Sequence, residues 1–195
     1  FEDIYLQADG DADKVLWADL EPNPRLLSWL ENTAAFPGKK AITIGCGLGD
    51  DAEALAARGF QVTAFDISAT AIEMCRERFP NSPVDYVTMD LFAVPPAWSQ
   101  GFDLVFECNT IQILDGDLRL EALNAIADLV RPGGRVLVSC RRRETGEIPD
   151  AFPIPLDREE IDGFLSAGLV ERDFSAYTDD EDPPIDRFFA VYERP

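Results

Sequence analysis

The sequence predicts an α/β fold: a Rossmann-like three-layer sandwich built on a mostly parallel seven-stranded sheet with a C-terminal antiparallel hairpin. Three observations carry this. Short, nearly continuous apolar segments alternate with amphipathic helix-like ones from residue 41 to residue 140. Each of those apolar segments ends in a small or polar residue. The last two apolar segments are joined by an acidic loop with no helix between them, which makes them antiparallel.

The elements follow in order. Residues 1–40 read as an N-terminal helical lid ahead of the core. Phe1 to Ala18 mixes acids with Ile4, Tyr5, Leu6, Val15, Leu16 and Trp17. Pro22 and Pro24 bracket a turn, and Arg25 to Asn32 carries Leu26, Leu27, Trp29 and Leu30 at helical spacing. Phe36-Pro37-Gly38 closes the segment. Ala41 to Ile44 is a buried strand, and Asp50 to Arg58 is a helix stopped by Gly59. Gln61 to Phe65 is a strand ending at Asp66, and Ser68 caps a helix that runs through Arg78 and breaks at Pro80. Val84 to Met89 is a third strand, ending at Asp90 and followed by a loop with Pro95, Pro96 and Trp98. Phe102 to Phe106 is a fourth, ending at Glu107-Cys108-Asn109. Asp117 to Val130 is an amphipathic helix, Pro132-Gly133-Gly134 a turn, and Arg135 to Cys140 a fifth strand. Asp157 to Ala167 reads as a helix with Gly168 as its stop. Leu169 to Tyr177 and Asp186 to Tyr192 form the hairpin. No repeat or linker divides the chain, so residues 1–195 read as one domain with its core at 41–195.

The turn after the first strand is the chemically informative stretch. Gly45, Gly47 and Gly49 alternate with Cys46 and Leu48, between a strand and a helix. Glycines there let the backbone bend sharply and let a ligand approach it, and the helix N-terminus offers unpaired N–H groups. The dinucleotide fingerprint is G-x-G-x-x-G. Here the third glycine comes one residue early and Asp50 takes the sixth place. An Asp at a helix N-terminus is a good cap, and it repels a pyrophosphate. The pattern suits a ligand without phosphates. The plain alternative is a tight turn that binds nothing.

Composition excludes several classes. The net charge is −20, from 37 acids against 17 basic residues, which argues against nucleic acid and anionic membranes as partners. No apolar run approaches the roughly 20 residues of a membrane span, and no signal-peptide pattern is visible. Four cysteines without C-x-x-C spacing suit a reduced, cytoplasmic protein. There is no histidine, which removes the commonest general base and metal ligand and every His-based triad, so no metal site is expected.

In an open α/β sheet, ligands bind beyond the carboxyl ends of the strands. Asp66 lies about 20 residues past the glycines, where an acid accepts both hydroxyls of a ribose. Ile67 can pack on a purine face. Asp90 can accept an exocyclic amine, with Leu91 and Phe92 flanking the ring. The plain alternatives are a capping carboxylate for Asp66, a turn former for Asp90 and core packing for Trp17 and Trp29.

Five stretches together resemble a known family: Ile42-Thr43-Ile44-Gly45-Cys46-Gly47-Leu48-Gly49, Phe65-Asp66-Ile67-Ser68, Met89-Asp90-Leu91-Phe92, Gly101 through Glu107 (G-F-D-L-V-F-E), and Leu129 through Arg135 (L-V-R-P-G-G-R). Their order and spacing are similar to those of the class I S-adenosylmethionine (SAM)-dependent methyltransferases, from about Trp17 to the C-terminus. Thr43 is a departure, since many members carry an acid there. The leader, with Pro22-Asn23-Pro24 and a tryptophan, resembles the thiopurine S-methyltransferase-like branch. The resemblance implies roles. The backbone around Gly45, Cys46, Gly47 and Gly49 would hold the methionine part of the cofactor, Asp66 the ribose and Asp90 the adenine amine. Glu107, Cys108 and Asn109 would line the methyl-transfer cleft, and Trp17 would cover the cofactor, leaving S-adenosylhomocysteine (SAH) as product.

Methyl transfer asks little acid–base work of a protein when the acceptor is acidic. Without histidine, a base could come only from Glu107, Asp115, Cys108 or a tyrosine. Small thiols, phenols and nitrogen heterocycles are therefore the expected acceptors, and no catalytic residue stands out. Arg141-Arg142-Arg143 could steer an anionic acceptor or simply face acidic neighbours. The competing readings are an NAD(P)-dependent oxidoreductase, which Asp50 disfavours, and a SAM-binding protein without catalysis.

Overall fold

The computed structural model describes residues 1–34, 38–149 and 152–195. Phe36 and Pro37, expected to close the leader, lie outside the described residues. Seven strands make a mixed sheet in the order β3-β2-β1-β4-β5-β7-β6, and the described residues fall into two compact units, 1–94 and 95–195.

In the first unit β1 (Lys40–Ile44), β2 (Gln61–Asp66) and β3 (Asp85–Thr88) are parallel, with β2 paired on both sides. Helix α3 (Asp50–Ala57) follows the glycine turn, and α4 (Ala69–Arg78) starts where Ser68 accepts a bond from the Ala71 N–H, as its hydroxyl at an N-cap predicts. The cap of α3 differs from expectation. Gly49 is the N-cap, with φ of 91°, and Asp50 is the first helical residue. The Asp50 carboxylate turns to Arg78 instead, in two bonds of 2.8 and 2.9 Å. That pairing offsets the charge that was expected to repel a phosphate. Gly49 admits no side chain, because a Cβ there would lie 2.6 Å from the Tyr86 hydroxyl in addition to the left-handed strain.

The leader folds into α1 (Glu2–Ala8), a short 3₁₀ turn at Ala12–Lys14 and α2 (Pro24–Glu31). Asn23 caps α2 through the N–H groups of Arg25 and Leu26, with Pro24 at the first helical position, where its missing N–H costs nothing. Tyr5, Ala8 and Val15 are buried in one cluster with Leu48, Ala71 and Met74. The leader is thus packed against Leu48 of the glycine turn and against α4.

In the second unit β4 (Phe102–Cys108) is parallel to β5 (Val130–Arg141), which pairs antiparallel with β7 (Asp186–Glu193), itself antiparallel to β6 (Val170–Thr178). Helix α5 (Gly116–Leu129) leads into β5. Three expectations shift here. Glu107 and Cys108 belong to β4 itself. Pro132-Gly133-Gly134 is not a separate turn but part of β5, at a register shift against Phe102 to Leu104. Gly133 donates to the Arg194 carbonyl and Arg194 donates to that of Gly134, which pins the segment into the sheet. A Cβ at Gly134 would sit 2.8 Å from the Phe102 carbonyl oxygen, so only glycine lets the chain pass this close. The helix expected over 157–167 is two four-residue helices, α6 (Arg158–Ile161) and α7 (Gly163–Ser166), parted at Asp162. Asp157 and Glu160 form a capping box at the start of α6.

Candidate cofactor site

In the first unit, the carboxyl ends of β1 and β2 are joined by one side chain. Asp66 Oδ2 accepts a bond from the Gly47 N–H at 3.0 Å, and its Oδ1 accepts from the Ser68 N–H at 2.9 Å. The Cys46 N–H donates to the Phe65 carbonyl at 2.9 Å, and the Gly49 N–H to that of Cys46 at 3.0 Å. Gly45, Gly47 and Gly49 all have positive φ. The turn is therefore held by Asp66 in a shape that β-carbons would resist. Asp66 is 7% exposed, and burial pushes its carboxyl above the usual carboxylate range despite the N–H bonds it accepts. Each of its oxygens keeps a lone pair beyond the bonds shown.

Ile67 is 63% exposed just past β2. Past β3, Asp90 is exposed and caps a 3₁₀ turn through the Phe92 N–H at 2.9 Å, with Leu91 buried beneath and Phe92 39% exposed. The turn-forming alternative describes what Asp90 does locally, whereas Asp66 braces the glycine turn and leaves the capping of α4 to Ser68. These bonds use up neither carboxylate. Cys46 is half-buried, and contact with Cys75 together with burial pushes its thiol up. Cys75 Sγ donates to the Gly47 carbonyl at 3.1 Å. Cys46 is therefore not a poised nucleophile. The Thr43 hydroxyl, the noted departure from the resemblance, is buried with no hydrogen-bond partner among the described residues.

Two leader residues escaped the sequence reading. The Tyr5 hydroxyl sits 3.5 Å from where a Cβ on Gly47 would be, and it accepts a bond from Trp17 Nε1 at 3.0 Å. Glu2 accepts bonds from the hydroxyls of Ser68 and Thr70, the latter at 2.6 Å. Those two side chains begin α4 directly after Asp66. Trp17 stands edge-on to both Tyr5 and Phe1 and remains 41% exposed. No local pattern signals Glu2, since its partners lie 66 and 68 residues away.

The N-methyltransferase NodS from Bradyrhizobium japonicum, solved in complex with SAH, superposes with a TM-score of 0.75 over 97% of this chain and 96% of that chain, at 19% identity. A methyltransferase-domain family model matches residues 41–134, the stretch that contains the glycine turn, Asp66, Asp90 and Glu107. Over residues 41–134 the chain is similar to a methyltransferase domain, and its fold is that of the SAH-bound NodS structure. Among curated relatives, the ubiquinone biosynthesis O-methyltransferase of Stutzerimonas stutzeri is 32% identical over 125 residues, 63% of this chain and 53% of that protein. A probable thiol methyltransferase 2 of Arabidopsis thaliana is 29% identical over 125 residues, 62% of this chain and 54% of that protein. The chain spans about half the length of the curated relatives it matches.

In the second unit, Glu107 is fully buried at the end of β4. Its Oε1 accepts bonds from the N–H groups of Thr110 and Ile111, at 2.6 and 2.9 Å. Its Oε2 has no partner among the described residues, and burial pushes the carboxyl up to about 7. Glu107 therefore shapes the turn after β4 and does not reach solvent. Cys108 and Asn109 are half-buried, and Asn109 takes a left-handed conformation, with φ of 62°, held by its N–H on the Ser139 carbonyl. The Asn109 side-chain oxygen is buried and unpartnered. Among the described residues no helix is long and apolar enough to cross a membrane, and no group of three His, Cys, Asp or Glu side chains is placed to hold a metal.

Proposed function

We propose that this chain transfers a methyl group from SAM to a small molecule, with thiols, phenols and nitrogen heterocycles as the acceptor classes. The observation that carries the reading is the Asp66 carboxylate, which locks the glycine turn through Gly47 while standing between exposed Ile67 and the turn itself. The residues present fit the cofactor. The glycines open the backbone of the turn, and Ile67 and Phe92 offer apolar surface beside Asp90. The acids Asp66 and Glu2 suit a ligand that carries positive charge and no phosphate. SAM when bound supplies a methyl already activated by its sulfonium.

The chain's own residues then bind and orient. Gly45, Cys46, Gly47 and Gly49 hold the methionine part by backbone, Asp66 the ribose hydroxyls, and Asp90 the adenine amine between Ile67, Leu91 and Phe92. Trp17 covers the cofactor from the leader, which is already anchored through Tyr5, so residues 1–40 act as lid and residues 41–195 as core of one domain. Cys108 and Asn109 line the acceptor side, and Glu107, expected there from the sequence, is buried behind them, where it shapes the turn. Exclusion of water and alignment supply most of the rate. The buried Glu107 is not placed to take a proton from a ligand, so the acceptor must ionise readily by itself, as a thiol or acidic phenol does. The four cysteines are free, in keeping with a reduced compartment.

Incubation with radiolabelled SAM and a panel of aryl thiols, catechols and pyridine-type heterocycles tests this. Label should pass to at least one acidic acceptor, faster at pH 8.5 than at pH 6.5 because the ionised fraction rises. Intact cofactor binding with no transfer to any member would leave a SAM-binding protein without catalysis.

A further inference from the structure

Among its described residues, the second unit holds a cation with no counter-charge. Of the three arginines ending β5 and following it, Arg142 pairs with Glu144 and Asp186, and Arg143 with Asp157 and Glu160. The guanidinium of Arg141 meets no acid, carbonyl or ring among the described residues. Its register partner on β7 is Arg187, which is itself engaged by Asp179 and Glu181. Like charges directly opposite on neighbouring strands are unfavourable. In a chain with 37 acids and 17 basic residues, a half-buried arginine with no acid beside it among the described residues, opposite another arginine, is unexpected on structural grounds alone.

The place of Arg141 gives it a use. It is the last residue of β5, next to the end of β4, where Cys108 pairs with Ser139. This is the carboxyl edge at which α/β sheets bind ligands. The strand end is fixed by Gln112, whose Oε1 accepts the Arg141 N–H at 2.7 Å, and by the Leu156 N–H on the Arg141 carbonyl at 2.9 Å. Gln112 Nε2 is a second donor with no acceptor. Both unmatched groups at this edge therefore lack an oxygen acceptor.

We propose that Arg141 anchors an anionic group on the methyl acceptor, so that the preferred acceptors carry a carboxylate besides the nucleophilic thiol or hydroxyl. The anchor also answers the chain's net charge of −20, which disfavours the approach of an anionic small molecule. Gln112 is a positioning residue that holds the backbone of Arg141. The inference rests on the methyltransferase reading above.

Matched pairs test it: 2-mercaptobenzoate against thiophenol, and 3,4-dihydroxybenzoate against catechol, with SAM saturating. The wild type should favour the carboxylated member of at least one pair by roughly tenfold or more in kcat/KM, the scale of one charge-assisted anchor. Arg141→Met should abolish that preference while leaving the uncharged member within about twofold and SAH binding unchanged, as expected for one anchor removed. Arg141→Lys, which keeps the charge without the fork, should retain part of it. No preference in the wild type, equal slowing of both members in Arg141→Met, or no turnover of any pair by protein that binds SAH would each overturn the proposal. Failure to bind SAH at all would instead remove the reading beneath it.

Discussion

Replacing Asp66 with alanine should weaken SAH binding on the order of a hundredfold and also lower the stability of the ligand-free protein. A carboxylate that accepts both hydroxyls of a ribose contributes about 1.5–3 kcal/mol for each charge-assisted bond, so losing both costs on the order of a hundredfold or more. The sequence alone predicts little effect on the free protein, since a capping acid at a helix start is modest. The structure revises this, because the same carboxylate joins the Gly47 and Ser68 N–H groups in a buried setting. Burial already disfavours its charge, which offsets part of the loss, and the net destabilisation should be about 1–3 kcal/mol. Asp90→Ala is the contrast. Asp90 is exposed and holds one N–H, so binding should weaken roughly tenfold with stability almost unchanged. Isothermal titration and urea denaturation separate the two effects. An unchanged dissociation constant in Asp66→Ala would make Asp66 a purely structural brace.

Raising the pH from 5.5 to 8.5 should destabilise the protein, and Glu107→Gln should remove part of that loss. Glu107 has its folded pKa raised from 4.5 to about 7. Between those values the folded chain holds a proton that the unfolded chain has released. Stability therefore falls as pH rises through this window, and the loss is complete above the folded value. At 1.36 kcal/mol per unit, the full effect is about 3 kcal/mol. Glutamine keeps the acceptor for the Thr110 and Ile111 N–H groups and cannot ionise. At pH 8.5 the variant should equal or exceed the wild type by about 1–3 kcal/mol, the advantage shrinking towards pH 5.5. Asp51, likewise pushed up to about 7 by burial beside the Asn23 N–H, leaves both proteins with a residual slope. Parallel profiles for the two proteins would show that Glu107 is already ionised at neutral pH without penalty.

Local chemistry made much of the fold legible. The glycine turn, the Ser68 cap, the βα alternation and the closing hairpin each rest on residues a few positions apart, and each is present. The departures come from partners distant in sequence. Asp50 looks like a cap until Arg78, 28 residues on, draws its carboxylate away. Pro132-Gly133-Gly134 reads as a turn because nothing local shows Arg194 holding it in the sheet. The helix over 157–167 breaks at Asp162-Gly163, a weak helix-forming pair that the apolar spacing concealed. The candidate site shows the same division. Asp66, Ile67 and Asp90 stand at strand ends, where the pattern of alternation puts them. Glu2 and Tyr5, which lie against the same region, are visible only once α1 has folded back onto α4. Arg141 is distinguished from its two neighbours solely by the acids that Arg142 and Arg143 meet.

The central claim is that the glycine turn and Asp66 form a site for SAM. Calorimetric titration of SAH into the wild-type protein at pH 7.5 tests it most directly. One equivalent should bind with micromolar or tighter affinity and be displaced by SAM but not by NADH. A folded protein that gives no heat with SAH, or that binds NADH in its place, would contradict the account.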